Sequence, residues 1–177
     1  DIVRSLGKIY KEGHLEKGEK PVHWCQESGS SLAEAEVEYI DRTSKAIDVA
    51  FKVDNTCLKK VKDLFDIEDI DEIAFVIWTT TPWTIPGNRA IAFGDSVDYC
   101  IFKVQESKNN LIKDNKYLVA KSLLEEVCER CSISKFELVK EIKGEELSNT
   151  ICHHPFTKIG FDYDVPLLKA EFVEDSE

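Results

Sequence analysis

Ile73-Ala74-Phe75-Val76-Ile77, an apolar and strand-forming run, leads directly into Trp78-Thr79-Thr80-Thr81-Pro82-Trp83-Thr84-Ile85-Pro86-Gly87-Asn88. No other stretch constrains the fold of this chain as tightly. β-Branched and aromatic residues suit a half-buried pleated surface, so the run reads as a strand. Pro82 brings no N–H to a ladder and disfavours helical geometry at Thr81, and Pro86 repeats both effects. The strand must therefore end near Thr81 and give way to a stiff turn. The threonines at that end set hydroxyl donors and acceptors side by side. They can surround a small polar group while their methyls narrow the space beside it. By itself a threonine triplet also fits an ordinary strand and turn.

The remaining segments read as follows. Ile2 to Tyr10 has apolar residues at 2, 3, 6, 9 and 10, the spacing of an amphipathic helix, with Gly13 as its stop. Residues 18–31 form an irregular connector with turn chemistry at Ser28-Gly29-Ser30. Ala33 to Tyr39 alternates small or apolar residues with glutamates, predicting a strand with one charged face, and Ile47 to Val53 alternates likewise. Helical spacing spans Leu58 to Phe65, and an acidic turn follows through Asp66, Glu68, Asp69 and Asp71. Ala90 to Phe93 comes after the threonine-rich turn. A strand over Asp98 to Val104 is expected to pair with Asn115 to Val119, with Ser107-Lys108-Asn109-Asn110 supplying turn residues. A helix is predicted from Ala120 to Cys131, a strand over Phe136 to Ile142, and a polar corner at Lys143 to Leu147. Short strands without regular βαβ alternation predict an α+β fold. Its centre would be a curved or barrel-like, mostly antiparallel sheet with a few peripheral helices.

Composition removes several function classes. A chain of 177 residues can build one well-cored domain with a small appendage. It contains no Met and starts with Asp1, so we expect a piece of a longer chain. The first helix has no long apolar core or small-residue cleavage site, and no segment approaches the roughly 20 apolar residues of a membrane span. A soluble, cytoplasmic chain is expected. Acidic residues number 34 against 23 basic ones, a net charge of −11. Phosphate contacts dominate nucleic-acid affinity and need Lys or Arg, so this balance argues against tight autonomous binding to DNA or RNA. Cys128-Glu129-Arg130-Cys131 has a metal-ligand spacing, and Cys152-His153-His154 could complete a site. At the end of a helix, however, such a pair reads as one buried and one half-exposed thiol. No metal site is expected, and the thiols are expected to be reduced.

The complete string from Trp78 to Asn88 resembles the threonine-rich peptide in the editing domain of isoleucyl-tRNA synthetases, which are class I aminoacyl-tRNA synthetases. Lys20-Pro21-Val22-His23-Trp24-Cys25 resembles that family's entry into its long insertion. Residues 31–39, Asn88-Arg89-Ala90-Ile91-Ala92, His154-Pro155-Phe156 and Phe161-Asp162-Tyr163-Asp164-Val165-Pro166 continue the likeness in order. The related leucyl and valyl enzymes carry Thr-Thr-Arg-Pro at the equivalent turn, whereas Thr81-Pro82-Trp83 here has no such Arg. Many relatives have Trp-Cys-x-x-Cys at Cys25, a pair that Ser28 breaks here.

The resemblance implies a barrel-like editing domain and hydrolytic proofreading of Val-tRNA(Ile). Segments 1–18 would be a helix and connector from the synthetase body, 19–44 the entry segment, and 45–177 an editing domain truncated at its C-terminal end. By position, the family's catalytic threonine peptide falls on Thr79, Thr80 and Thr81, and its substrate-binding residues fall on Trp78 and Asn88. Partners would be the valine-carrying 3′ end of tRNA(Ile) and the remainder of the synthetase, with no DNA and no membrane. The family's ATP-site signatures, His-Ile-Gly-His and Lys-Met-Ser-Lys-Ser, are absent from this sequence. ATP and Mg would therefore serve the whole enzyme, and no cofactor is expected in this chain. A Gly-Thr-Gly turn, a His and an Asp of the family's editing site would begin just after Glu177. Their absence predicts weak or no activity from this chain alone. Arg89 could meet a 3′-terminal phosphate, but an Arg beside a strand in so acidic a chain is expected to pair with a carboxylate. His154, before Pro155, reads as a structural turn residue. Two other readings stay open: a non-catalytic acidic protein-interaction module, and a small zinc-stabilised nucleic-acid module.

Overall fold

The computed structural model describes residues 1–65 and 71–173. The acidic turn expected through Asp66, Glu68 and Asp69 lies outside the described residues. The chain divides into two compact units, residues 1–43 and 44–177.

In the first unit, α1 (Ile2–Lys11) ends as its sequence requires. Gly13 takes φ +78°. The N–H groups of Gly13 and His14 then reach back to the carbonyls of Tyr10 and Ile9 at 3.1 and 3.2 Å. The residues expected to form an irregular connector hold a small antiparallel hairpin, β1 (Trp24–Cys25) with β2 (Ser30–Ser31). Its turn contains Gly29 at φ +62°. The strand expected over Ala33–Tyr39 does not form. Glu34–Glu36 makes a 3-10 turn, because the Glu36 carboxylate accepts the Ala33 N–H at 2.8 Å and closes the chain on itself. Among the described residues no strand pairs with this segment, and the local hydrogen bond won.

The second unit holds two sheets. The larger joins β3 (Ile47–Lys52), β4 (Ile73–Thr79), β7 (Lys116–Ala120), β6 (Asp98–Ser107) and β8 (Ile133–Lys143), in that spatial order. Every pairing in it is antiparallel except β4 with β7. The smaller joins β5 (Ile91–Phe93), β10 (Asp164–Lys169) and β9 (Ile151–His153), with β5 and β10 parallel. A single bridge from Val53 to Cys152 links the end of β3 to β9. The α+β class and mostly antiparallel pairing are as expected, but the sheets stay open and do not close into a barrel. Register shifts between β6 and β8 bend the large sheet without closing it.

Alternation along the central strands explains the layering. Ile73, Phe75, Ile101 and Leu118 project to a core shared with Phe51, Val165 and Leu58 of α2 (Asn55–Phe65). Ala74, Cys100, Phe102 and Val119 project to the opposite face, under Leu124, Val127 and Cys128 of α3 (Leu124–Arg130). Both faces of the sheet are therefore dry over its central strands, while the edge strand β8 stays largely exposed. The helix expected from Ala120 starts at Leu124 after a 3-10 turn, because Ala120 stays in the ladder opposite Tyr99. Among the described residues no helix is long and apolar enough to cross a membrane.

Candidate functional site

β4 ends where its prolines require. Thr79 is its last strand residue, and Thr81, before Pro82, sits at φ −123°, ψ 66°, outside the helical region. Pro82–Gly87 then winds a 3-10 turn with Pro82 at its first position. Inside this turn the hydroxyls organise one another. Thr79 Oγ1 accepts the Thr81 N–H at 3.1 Å and lies 3.2 Å from Thr81 Oγ1. Thr84 Oγ1 donates to the Thr81 carbonyl at 2.7 Å and lies 3.5 Å from Thr81 Oγ1. Each hydroxyl has one proton. Thr84 has committed its own to a carbonyl. Across the 3.5 Å contact Thr81 is therefore the donor, and Thr79 donates to Thr81 in turn, so the long Thr81–Thr84 contact is the one most easily exchanged for a solvent or ligand acceptor.

The expected row of hydroxyls is thus rearranged. Thr79 and Thr81, two apart and on the same side of an extended chain, come together. Thr80, at the bend after the strand, hydrogen-bonds with neither and is exposed. Thr84, outside the sequence-derived site, completes the cluster instead. Its signal was available, since a threonine three residues after another can bond back to that residue's carbonyl.

The turn is anchored from beneath by residues far along the chain. His154, only 1 % exposed, is ringed by Phe51, Phe156, Phe161 and Tyr163. Its Nδ1 accepts the Phe156 N–H at 3.1 Å, so Nε2 carries the proton and donates to the Ile85 carbonyl at 2.9 Å. The Tyr163 hydroxyl donates to the next carbonyl, Pro86, at 2.8 Å. Two successive carbonyls of the turn are held this way. His154 is structural, as its sequence context suggested, but it holds the threonine turn as well as its own. Asn88 leaves the turn with its N–H bonded to Ile85 O at 2.9 Å, and its Oδ1 is buried with no hydrogen-bond partner among the described residues.

Trp78 occupies different ground. It is 50 % exposed and stands opposite Asp48 in the β3–β4 register. β4 pairs with β7 only over Ile73–Phe75. Beyond Phe75 these parallel strands part, and the gap opens into a cleft of about 330 Å³ lined by Trp78, Val76, Ala92, Val119, Asp48 and Arg130, among others. Arg130 of α3 clasps the rim, donating from Nε and Nη2 to the Asp48 carboxylate (3.1 and 2.7 Å) and from Nη1 to Glu126. Thr79, Thr80, Thr81 and Asn88 do not line this cleft. Nor does Arg89 find the carboxylate expected for it. Its guanidinium lies 3.9 Å from the centre of the Tyr163 ring and makes no ion pair or hydrogen bond with a described residue.

The cysteines divide by burial. Loss of solvent pushes the Cys100 and Cys128 thiols up to about 11 and Cys152 up to about 12, which keeps them protonated at neutral pH. Cys131, the other half of the spaced pair, is half-buried and also raised by burial. Cys25 is lowered instead, by hydrogen bonds from the Ser28 side chain and then its backbone N–H. Among the described residues no three His, Cys, Asp or Glu side chains are grouped to hold a metal ion.

Three comparisons bear on this geometry. A family model described as tRNA synthetases class I (I, L, M and V) matches residues 1–157. The isoleucine–tRNA ligase of Pelagibacter ubique (strain HTCC1062) is 43 % identical over 172 residues, covering 97 % of this chain and 18 % of that protein. That of Francisella tularensis subsp. novicida (strain U112) is 39 % identical over 176 residues, covering 99 % of this chain and 17 % of that protein. The chain thus spans less than a fifth of these curated relatives. Among solved structures, GlLeuRS-CP1 superposes with a TM-score of 0.56 at 15 % identity, covering 74 % of this chain and 51 % of that one. The Plasmodium knowlesi cytosolic leucyl-tRNA synthetase editing domain gives 0.53 at 14 %, covering 74 % of this chain and 55 % of that one. At such identities the likeness is one of fold.

Proposed function

The chain belongs to the class I aminoacyl-tRNA synthetases, and from that premise we propose that it is the proofreading part of an isoleucine–tRNA ligase, hydrolysing Val-tRNA(Ile) in the cytoplasm. The observation that carries this reading is the threonine turn: a hydroxyl cluster held rigid from beneath, whose longest internal contact Thr81 can exchange for a ligand, beside a buried amide oxygen with no partner among the described residues. An activating site gains only about 1–3 kcal/mol from one methylene, and isoleucyl-tRNA synthetases are themselves the usual example of that limit. A second, hydrolytic site makes up the difference.

In the reaction, water adds to the ester carbonyl carbon. The bond to the ribose oxygen breaks, that oxygen takes up one of the water's two protons, and valine leaves as its carboxylate with the other proton released to solvent. Thr79 and Thr81 orient the water and donate to the oxygen on which charge develops. Thr80 supplies a further exposed hydroxyl at the bend. None of them acts as a nucleophile, because among the described residues no base stands within hydrogen-bond reach of these hydroxyls. Asn88 Oδ1 receives a donor from the terminal nucleoside or the amino acid. That suits a buried acceptor, whose unpaired state costs about 1–3 kcal/mol. Trp78 walls the side of the strand end facing the cleft, where a side chain larger than valine would overpack. The valine-carrying 3′ end is the ligand, and the remainder of the longer protein presents it. ATP and Mg belong to activation in that remainder. This sequence has no glycine-rich phosphate loop and no His-Ile-Gly-His, so it offers neither a fitting site, and no step here runs through them.

The test is made in the full-length ligase. Thr81→Ala should slow release of valine from Val-tRNA(Ile) at least about tenfold, the scale of a lost transition-state donor, while isoleucine activation stays normal. Equal loss of both activities would mean that the turn is structural, and would leave the acidic interaction module as the better reading.

A further inference from the structure

Of the four arginines in a chain with 34 acidic residues, Arg4 and Arg130 sit against carboxylates, Asp1 for the first and Asp48 with Glu126 for the second. Arg42 and Arg89 have none among the described residues, and of these two Arg89 is the one placed on an aromatic ring. Arg89 is exposed, directly follows Asn88, and pairs with no carboxylate among the described residues. It is nevertheless placed. The guanidinium lies 3.9 Å from the centre of the Tyr163 ring, and the Tyr163 hydroxyl is itself bonded to the Pro86 carbonyl of the threonine turn at 2.8 Å. One tyrosine therefore fixes both the turn and the arginine. Stacking on a ring face engages the plane of the guanidinium and leaves its in-plane N–H donors directed outward. Such a fork matches the oxygens of a phosphate, and an arginine held in advance loses less freedom on binding one.

We propose that Arg89, seated on Tyr163, is a phosphodiester-binding site that receives the backbone phosphate next to the terminal nucleoside. This rests on the proofreading function proposed above and adds to it the residue that recognises nucleic-acid backbone. It also gives an acidic domain a local means of accepting a polyanion. Elsewhere on the molecule the excess of negative charge repels one, so the strand end is drawn to this position.

The experiment titrates the trinucleotide CCA, and separately adenosine, into the chain and follows the Arg89 Nε–H and the Thr79–Thr81 amides by NMR at several salt concentrations. CCA should shift both sets of resonances, whereas adenosine, lacking phosphate, should shift the threonines alone. Arg89→Gln should weaken CCA about tenfold and leave adenosine unchanged. It should also reduce the log–log salt slope by about 0.7, the contribution of one single-strand phosphate. Tyr163→Leu, which removes the platform and keeps the arginine, should weaken CCA in the same direction. Threonine shifts from CCA with no response at Arg89, or an unchanged salt slope in Arg89→Gln, would overturn the phosphate site alone. CCA that perturbs neither Arg89 nor the threonines would overturn the phosphate site and the proofreading reading together.

Discussion

Truncating His154 to Ala would remove three things at once: the Nε2–H that the Ile85 carbonyl accepts, the Nδ1 that receives the Phe156 N–H, and a ring packed among four aromatic side chains. The part-buried Phe156 N–H would lose its partner, the Ile85 carbonyl would keep only the Asn88 N–H, and a cavity would open. His154→Ala should therefore destabilise the chain by about 3 kcal/mol in urea unfolding, although the residue touches none of the threonines. A change below about 0.5 kcal/mol, the scale of an ordinary surface substitution, would show that the turn is not held from beneath. At this scale the sequence was partly legible. The threonines announced a polar strand end, and His154 read as structural. Arg89 was misjudged because composition counts carboxylates without saying where they stand. What Arg89 meets is an aromatic ring 74 positions later in the chain.

Elements follow local chemistry when the deciding groups are close in sequence. α2 was expected from Leu58 and starts at Asn55, because the Asp54 carboxylate accepts the Thr56 N–H at 2.8 Å and its carbonyl takes the Leu58 N–H. Asp54 is an N-cap. The hydrogen bond from the Thr56 side chain, and then that from its backbone, hold the Asp54 carboxyl below its ordinary value. With the folded value depressed, the cap's contribution is fully present above the unfolded value near 3.9. It is lost as the pH falls through the folded value. Asn caps a helix about as well without titrating. Asp54→Asn should therefore be near neutral at pH 7, with a shallower fall in the urea midpoint as the pH drops below the unfolded value near 3.9. Parallel acid limbs for the two proteins would remove Asp54 from the account. Ala33–Tyr39 is the contrasting case: a correct period-two pattern lost to a glutamate reaching back three residues.

Over the whole molecule, burial separates the two units. No residue of 1–43 is buried, and the apolar face of α1 is open, with Ile2 87 % and Val3 82 % exposed. The second unit carries all of the buried core. Trypsin should accordingly cut first among Lys11, Lys17, Arg42 and Lys45 and leave a resistant fragment beginning near Ala46, read by intact mass. First cuts within residues 71–173 would show that burial does not govern local opening here.

What the sequence determined alone were features set by steric limits and alternation over a few residues. These are the strand into Thr79, its termination by Pro82, the stop at Gly13, the α+β class, and the motif that carries the family likeness. Only the tertiary structure decided the rest. It paired β4 with β7 in parallel and left both sheets open. It split Thr80 from its neighbours and brought His154 and Tyr163 beneath a turn 69 and 77 residues away. Local geometry restricts backbone angles wherever the chain is. Contacts at such separations exist only once burial of both faces of the large sheet has closed the loops between them.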